Sequence, residues 1–340
     1  MLVSLCLAVP PDLMGSVEPL LRDDDAVCNL VIVRGGALDP AGDAVFADVA
    51  RERAGAVLEA LDQLGLGESG AISVSELSAT PTARARAAER AAPGSPDDGV
   101  IWRVVEEQGW EAIRPSVSFH LFLWLAVTLA AVAVVTDSSI LVIGAMVVGP
   151  EFGLVAAVCI GLALGRPVIV GRSLIVLVGS FLGAIAGVVV LALLARAAGW
   201  VTLEMVTSPR PLTGFIWRPD HWSFVVAMLA GIAGILATTT GKSASLVGVF
   251  ISVTTVPAAG NLALGIAVWA PAEIGGSLRQ LGINLFGLLL AGTLTLLVQR
   301  LAWKRFGGSQ TRSPGASPTR PGRRPARGEV VSREWRPGRP

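Results

Sequence analysis

The sequence predicts a polytopic α-helical membrane domain of six spans, preceded by an N-terminal α+β domain of ferredoxin-like βαββαβ order. Three observations predict it. Apolar residues make up 52% of the chain and charged residues only 16%, against about 25% charged in ordinary soluble proteins. The deficit is local: residues 118–303 are overwhelmingly apolar, whereas 1–116 and 304–340 have soluble character. Within 1–77, short strand-like runs alternate with helix-spaced segments.

The N-terminal elements follow in order. "LVSLCLAV" (2–9) and "AVCNLVIV" (26–33) have strand composition. Between them, Leu13, Met14, Val17, Leu20 and Leu21 recur at helical spacing. "DAVFADVA" (43–50) alternates as a strand does. Residues 51–65 place Ala54, Val57, Leu58, Leu61 and Leu64 on one helix face and stop at Gly65. "AISVSEL" (71–77) alternates again. The order βαββαβ is that of a ferredoxin-like unit, a fold that hosts sensors, metal carriers and oligomerisation modules alike. "RDDDAVCN" (22–29) reads as a solvated turn, with a cation site at Asp23, Asp24 and Asp25 as the alternative. Residues 78–99, rich in Ala, Arg, Pro and Asp, read as a linker. Residues 100–116 mix Trp102, Val105, Trp110 and Ile113 with charges, and read as an amphipathic helix at the headgroups.

A helix needs about 20 apolar residues to cross the hydrocarbon core. Six segments in 117–303 qualify: 119–135, 139–165, 173–195, 222–240, 245–269 and 279–302. The second and fifth are interrupted, at Pro150 and Pro257. Ser138 and Ser245, Pro150 and Pro257, Gly153 and Gly260, and Arg172 and Arg279 are each 107 residues apart. Such matches predict a 3+3 repeat, and an odd number of spans per unit inverts the second unit relative to the first. Interrupted helices in corresponding positions of inverted repeats point to a transporter-like site at mid-depth. Proline removes an N–H and frees carbonyls, and groups freed in lipid must face protein or a water-filled cavity.

Orientation is read from the basic residues. Arg166, Arg172 and Lys242 on one side balance Arg196, Arg210, Arg218 and Arg279 on the other. Arg300, Lys304 and Arg305 beside the last span favour a cytoplasmic C-terminus. Six spans then place the N-terminus in the cytoplasm too, and "MLVSLCLAVPPD" lacks the basic start of a signal peptide. The expected location is the cell (inner) membrane. Charge is divided along the chain, with 16 acidic and 7 basic residues in 1–99, and 10 basic and 2 acidic in 304–340. That Pro- and Arg-rich tail reads as disordered, with weak attraction to anionic lipid or RNA and no specific nucleic-acid site.

"SSILVIGAMVVGPEFG" and "GKSASLVGVFISVTTVPAAGN" (241–261) together resemble a bacterial family of uncharacterised hydrophobic membrane proteins, domain of unknown function 389. The resemblance extends over about residues 1–303 and leaves out the tail. It implies a polytopic inner-membrane protein with a cytoplasmic head, and it brings no activity, cofactor or substrate.

The residues themselves nominate the site. Glu151 stands beside Pro150, between Gly149 and Gly153, where backbone and water can approach. An ionised carboxylate at that depth costs several kcal/mol unless paired, hydrated or protonated; the alternative is a carboxylate capping a water-exposed helix start. Around the second break, Pro257, Asn261, Ser252, Thr254 and Thr255 can complete a polar cavity, or bond within and between helices. Lys242 in "TTTGKSAS" does not make a phosphate loop, because position 236 is leucine and no soluble strand precedes it. It reads as a helix-end cation facing Glu151 or lipid phosphate. Asp137 is expected to cap the second span. The Gly161/Gly165 and Gly183/Gly187 pairs read as close-packing faces, and self-association as a homo-oligomer is left open.

Cys6, Cys28 and Cys159 form no disulfide or zinc framework, and His120 and His221 have no ligand cluster beside them. Metal and cofactor are therefore expected to be none, and no paired catalytic groups indicate an enzyme. Two functions remain: a transporter or channel-like protein for a small solute or ion, with Glu151 at its coupling site, and a membrane-anchored sensor or scaffold whose head binds a ligand or partner.

Overall fold

The structure, a computed structural model, describes residues 1–92, 94, 99–241 and 254–306. Strand β1 (Leu2–Val9), helix α1 (Pro11–Arg22), strands β2 (Val27–Leu38) and β3 (Ala41–Ala50), helix α2 (Arg51–Gln63), the single turn α3 (Leu66–Ser69) and strand β4 (Ala71–Glu76) build the N-terminal domain. The βαββαβ order read from the sequence is present, in one antiparallel sheet of order β2-β3-β1-β4. Val3, Leu5, Leu7 and Val9 of β1 meet Met14, Val17 and Leu21 of α1 and Ala54, Val57, Leu58 and Leu61 of α2 in one core. Helix α2 ends where Gly65 takes a φ of +80°, a left-handed turn that costs glycine little. In the acidic turn, Asp24 accepts from the Ala26 amide and from Arg53 Nε at 2.8 Å, so it ties the turn to α2.

Residues 78–99 are not a bare linker. Helix α4 (Ala83–Ala91), capped by Thr82 Oγ1, buries Ala85 and Ala88 against β2 and β3. The alanines that made this stretch look featureless are what let it lie close to the sheet. Helix α5 (Trp102–Ala112) follows and packs on α2, but also on two bundle helices, α8 and α9, defined below. Gly109 of α5 lies close against Ile160 and Ile169, so that a Cβ there would stand 3.3 Å from Ile160 Cγ2. Expected as a surface helix, α5 instead joins the N-terminal domain to the apolar bundle.

The bundle comprises α6 (Val117–Val135), α7 (Ser139–Val148), α8 (Phe152–Leu164), α9 (Pro167–Ala197), the short α10 (Leu203–Thr207), a 3₁₀ turn at Gly214–Ile216, α11 (His221–Thr239), α12 (Thr255–Val268) and α13 (Pro271–Phe306). Among the described residues four helices, α6, α9, α11 and α13, are long and apolar enough to cross a membrane; a fifth span results if α7 and α8, bent by 54°, count as one. These helices mark the chain as a membrane protein. Their outer faces carry Leu121, Phe122, Ile175, Leu182, Leu229 and Phe286 in the open. Of the fifth expected span, 245–269, residues from Thr254 onward are described, and α12 accounts for 14 of them.

Contacts fix how the helices run. His120 meets Ser180 and Trp124 meets Gly187, so α6 and α9 are parallel. Phe224 and Ala227 meet Gly287, and Thr239 meets Gln299, so α11 and α13 are parallel as well. Arg300 Nη1 donates to the Ala163 carbonyl at 2.6 Å, which places the ends of α8 and α13 together. At the opposite end of the bundle, Arg196 of α9 donates to the Ala267 carbonyl of α12 at 2.7 Å. The N-terminal domain sits at the first of these ends. Arg51 Nη2 donates to the Thr239 carbonyl at the last turn of α11 at 3.1 Å, and Arg51 pairs with Glu76. Glu106 of α5 pairs with Arg166 at 2.8 Å.

Several local expectations are corrected. Asp137 does not cap α7; Ser138 does, through its hydroxyl and the Leu141 amide. Asp137 accepts instead from Thr213 Oγ1 at 2.8 Å and the Leu212 amide, holding the loop before α11. Gly183 faces open space, while Gly187 is pressed on Trp124, Gly161 on Val170, and Gly165 ends α8 with a φ of +71°. Pro257 does not interrupt α12 but is its third residue, where a missing N–H costs nothing.

The tightest helix crossing gives a stability prediction. A Cβ on Gly260 would stand 2.7 Å from Ala130 Cβ and 2.8 Å from the Ala131 amide of α6. Gly260→Ala should therefore lower stability by about 1–3 kcal/mol through overpacking, read as a fall in thermal midpoint in detergent. Gly183→Ala, with open space around it, should leave the midpoint level or slightly raised.

Candidate functional site

The bend between α7 and α8 arises from three residues. Gly149 ends α7, Pro150 cannot donate to the Met146 carbonyl one turn back, and Glu151 begins α8. The Glu151 carbonyl accepts from the amides of Leu154 and Val155, but its side chain caps nothing. That side chain is only 8% exposed. Its carboxylate folds over Gly149, and Oε2 has no hydrogen-bond partner among the described residues. Val256, in the first turn of α12, abuts Gly149 from the other side. The starts of α8 and α12 thus meet at the break, and the two helices leave it toward opposite ends of the bundle.

A seam of buried polar side chains runs between α12 and α13. Glu273, Ser277, Gln280 and Asn284 recur at spacings of four, three and four, which is one face of α13. At the start of α13, Arg210 Nη2 donates to Glu273 Oε2 at 2.6 Å and Arg210 Nη1 to Asn261 Oδ1 at 2.9 Å. Asn261 Nδ2 donates in turn to Glu273 Oε2 and to Ser277 Oγ, both at 2.8 Å. Arg210 and Glu273 are 7% and 3% exposed, a charge pair removed from water. Further along, Gln280 Nε2 and Asn284 Nδ2 both donate to Thr254 Oγ1, at 2.8 and 2.7 Å.

The structure assembles some of the expected residues and separates others. Gly149, Pro150 and Glu151 lie at the break, with Thr254, Thr255 and Pro257 in the adjoining first turn of α12. Gly153 is exposed, with nothing within 4 Å of a side chain placed there, because α8 turns that face outward. Asn261 does not share the break. It lies seven residues along α12, about 10 Å at 1.5 Å per residue, in the Arg210 cluster. Lys242 and Ser252 lie outside the described residues. Arg210, Glu273, Ser277, Gln280 and Asn284 were passed over in the sequence, although a four-three-four polar stripe in an apolar helix was there to be read.

Residues 146–290 match the model of a family described as Domain of unknown function (DUF389). The match bears out the resemblance carried by the two motifs, over a narrower stretch than 1–303, and it contains both the break and the seam. No curated protein and no solved structure matches the chain.

The buried pair yields a clear expectation. Arg210→Met or Glu273→Leu alone should cost about 3–5 kcal/mol, because each strands an unpaired buried charge. The double variant should recover much of that loss in a thermal double-mutant cycle. Additive losses would mean that the two groups do not interact.

Proposed function

We propose that this chain is a carrier or channel-like protein of the cell (inner) membrane. In this reading a small solute or ion binds at mid-depth, where the interrupted second span meets the start of α12. The observation that carries the proposal is the buried Glu151 carboxylate at a 54° break beside the first turn of α12, whose Oε2 has no partner among the described residues. An anchor has no use for such a group, and burying it unpaired is costly.

The proposal includes an inverted repeat, and the spacing of helix boundaries supports it. Helices α6 and α11 are both 19 residues long and start 104 residues apart, at 117 and 221. The left-handed caps Gly165 and Trp269 and the opening prolines Pro167 and Pro271 keep that interval. The interval is set by helix boundaries rather than by the residue matches at 107. It pairs Glu151 with Thr255, not Pro150 with Pro257. Packing follows the same exchange: α8 lies on α9 and α13, and α12 on α13 and α9. Six crossings then place the ferredoxin-like N-terminal domain and the end of α13 on one side, taken as the cytoplasm. Trp200, Trp222 and Trp269, all exposed near the other end, suit an interfacial belt.

A sensor or scaffold reading has its own support. The N-terminal domain carries a cleft of about 450 Å³ lined by Leu21, Arg22, Asn29 and Arg84 among others. Its Arg51 reaches the end of α11. A ligand in that cleft would be an anion by the chemistry of its two arginines.

Reconstituted full-length chain in proteoliposomes tests the carrier reading. Under an imposed proton or sodium gradient it should move charge well above protein-free vesicles, and Glu151→Gln should reduce that rate at least about ten-fold, on the scale of losing a charge-bearing contact. A flux unaffected by the substitution would remove Glu151 from the site. Absence of any flux, together with anion binding by the N-terminal cleft, would favour the sensor.

A further inference from the structure

Unpartnered buried polar atoms occur at several places in the bundle, Ser173 Oγ, Thr293 Oγ1 and Gln299 Oε1 among them. In the Arg210 cluster the Glu273 carboxylate and the Asn261 amide are matched, and Arg210 Nε lacks a partner among the described residues. Around the first turn of α12, oxygen acceptors are in excess. Glu151 Oε2, Thr255 Oγ1 and Gln280 Oε1 are all buried with no partner among the described residues. Gln280 Nε2 is already committed to Thr254 and Asn284, and Asn284 Nδ2 to Thr254. Pro150 leaves the Met146 carbonyl without its helical donor, and no other described backbone N–H replaces it. Among the described residues the bundle arginines that face inward are engaged elsewhere, Arg210 with Glu273, Arg196 with Ala267 and Arg300 with Ala163.

Each unpartnered buried oxygen costs about 1–3 kcal/mol, and a carboxylate more. One positive charge among them would relieve them together. Helix dipoles do not supply it. The C-terminus of α7 and the N-terminus of α8 meet at the same break and cancel, and the N-terminus of α12 offsets about half a charge at most.

Size, charge and donor type then select the ligand. Val256 lies 2.9 Å from where a Gly149 Cβ would be, so not even a methyl group fits between them, and close packing of this kind suits a small ion better than an organic solute. One carboxylate balances one positive charge, and a divalent ion would leave a net charge in an apolar bundle. Oxygen-only coordination favours a hard cation. We propose that the break binds a small hard monovalent cation, of the sodium class, through Glu151, Thr255 and Gln280, with the Met146 carbonyl beside them. The inference rests on the reading of the break as a ligand site, and it names the coupling ion of that site.

Thermal unfolding of the full-length chain in nanodiscs tests it, with sodium chloride titrated against choline chloride at constant ionic strength. Sodium should raise the midpoint saturably by at least about 3 °C, as a ligand of the folded state does. Glu151→Gln should unfold at or above the wild-type midpoint in choline, because a buried charge has gone, and should show no sodium response. Thr255→Val, nearly isosteric, should fold as wild type and lose most of the response. Equal midpoints in sodium and choline, or a sodium response that survives both substitutions, would overturn the proposal. So would stabilisation by acid alone, which would identify the ligand as a proton. The flux measurement above separates the two ideas. A sodium response without flux keeps the ion site and removes the carrier, whereas Glu151-dependent flux without a sodium response does the reverse.

Discussion

A helix interrupted inside an apolar bundle creates polar groups that have no water to turn to, and the rest of this structure is arranged around that constraint. Pro150 withholds an N–H from the Met146 carbonyl, and the chain bends by 54°. The polar groups at the break are then sealed by helices rather than by solvent: α12 closes on Gly149 through Val256, and Phe152 fits against Gly234 of α11. Small residues are what let those helices come so near. Gly149, Gly234 and Gly260 each meet a neighbour where no side chain would fit, so shielding of the break and close helix packing are one requirement rather than two.

The same reasoning explains why the N-terminal domain is held as it is. A helix ends with carbonyls that lack intrahelical donors. The last turn of α11 meets that need with a guanidinium from another domain, since Arg51 donates to the Thr239 carbonyl while Gln299 of α13 donates to the Thr239 hydroxyl. Glu76 pairs with Arg51 and lies against Gly241. Movement of the β-sheet that carries Glu76 is therefore felt at the end of α11 without any intervening loop. Helix α5 adds a second tie through Gly109, Ile160 and Ile169. The two domains are thus mechanically continuous, which is what either a gated carrier or a sensor requires.

Most of the fold was legible in the sequence because it is encoded locally. Composition gave the first two strands and alternation the other two, and helical spacing gave α1 and α2. Apolar length gave the four long helices, and a proline beside a glutamate gave the break. What was missed depends on partners distant in sequence. Arg210 looks like any loop cation until Glu273, 63 residues away, is placed beside it. Asp137 looks like a cap because caps sit in short turns, yet its partners lie 75 and 76 residues away. Pro150 and Pro257 show the same limit, since one precedes a helix and the other sits inside a first turn.

The two buried carboxylates of the bundle then separate structure from function on physical grounds. Glu273 is held by Arg210 and Asn261, and its charge is balanced within the chain. Such a pair fixes how the loop before α11 sits on α12 and α13, and the energy it would cost to disturb makes it a poor place to exchange a ligand. Glu151 has no described counter-charge and sits where a helix has already been opened, over Gly149, which Val256 of α12 also abuts. Replacing Glu273 would therefore strand Arg210, whereas replacing Glu151 by a neutral group would strand no described cation.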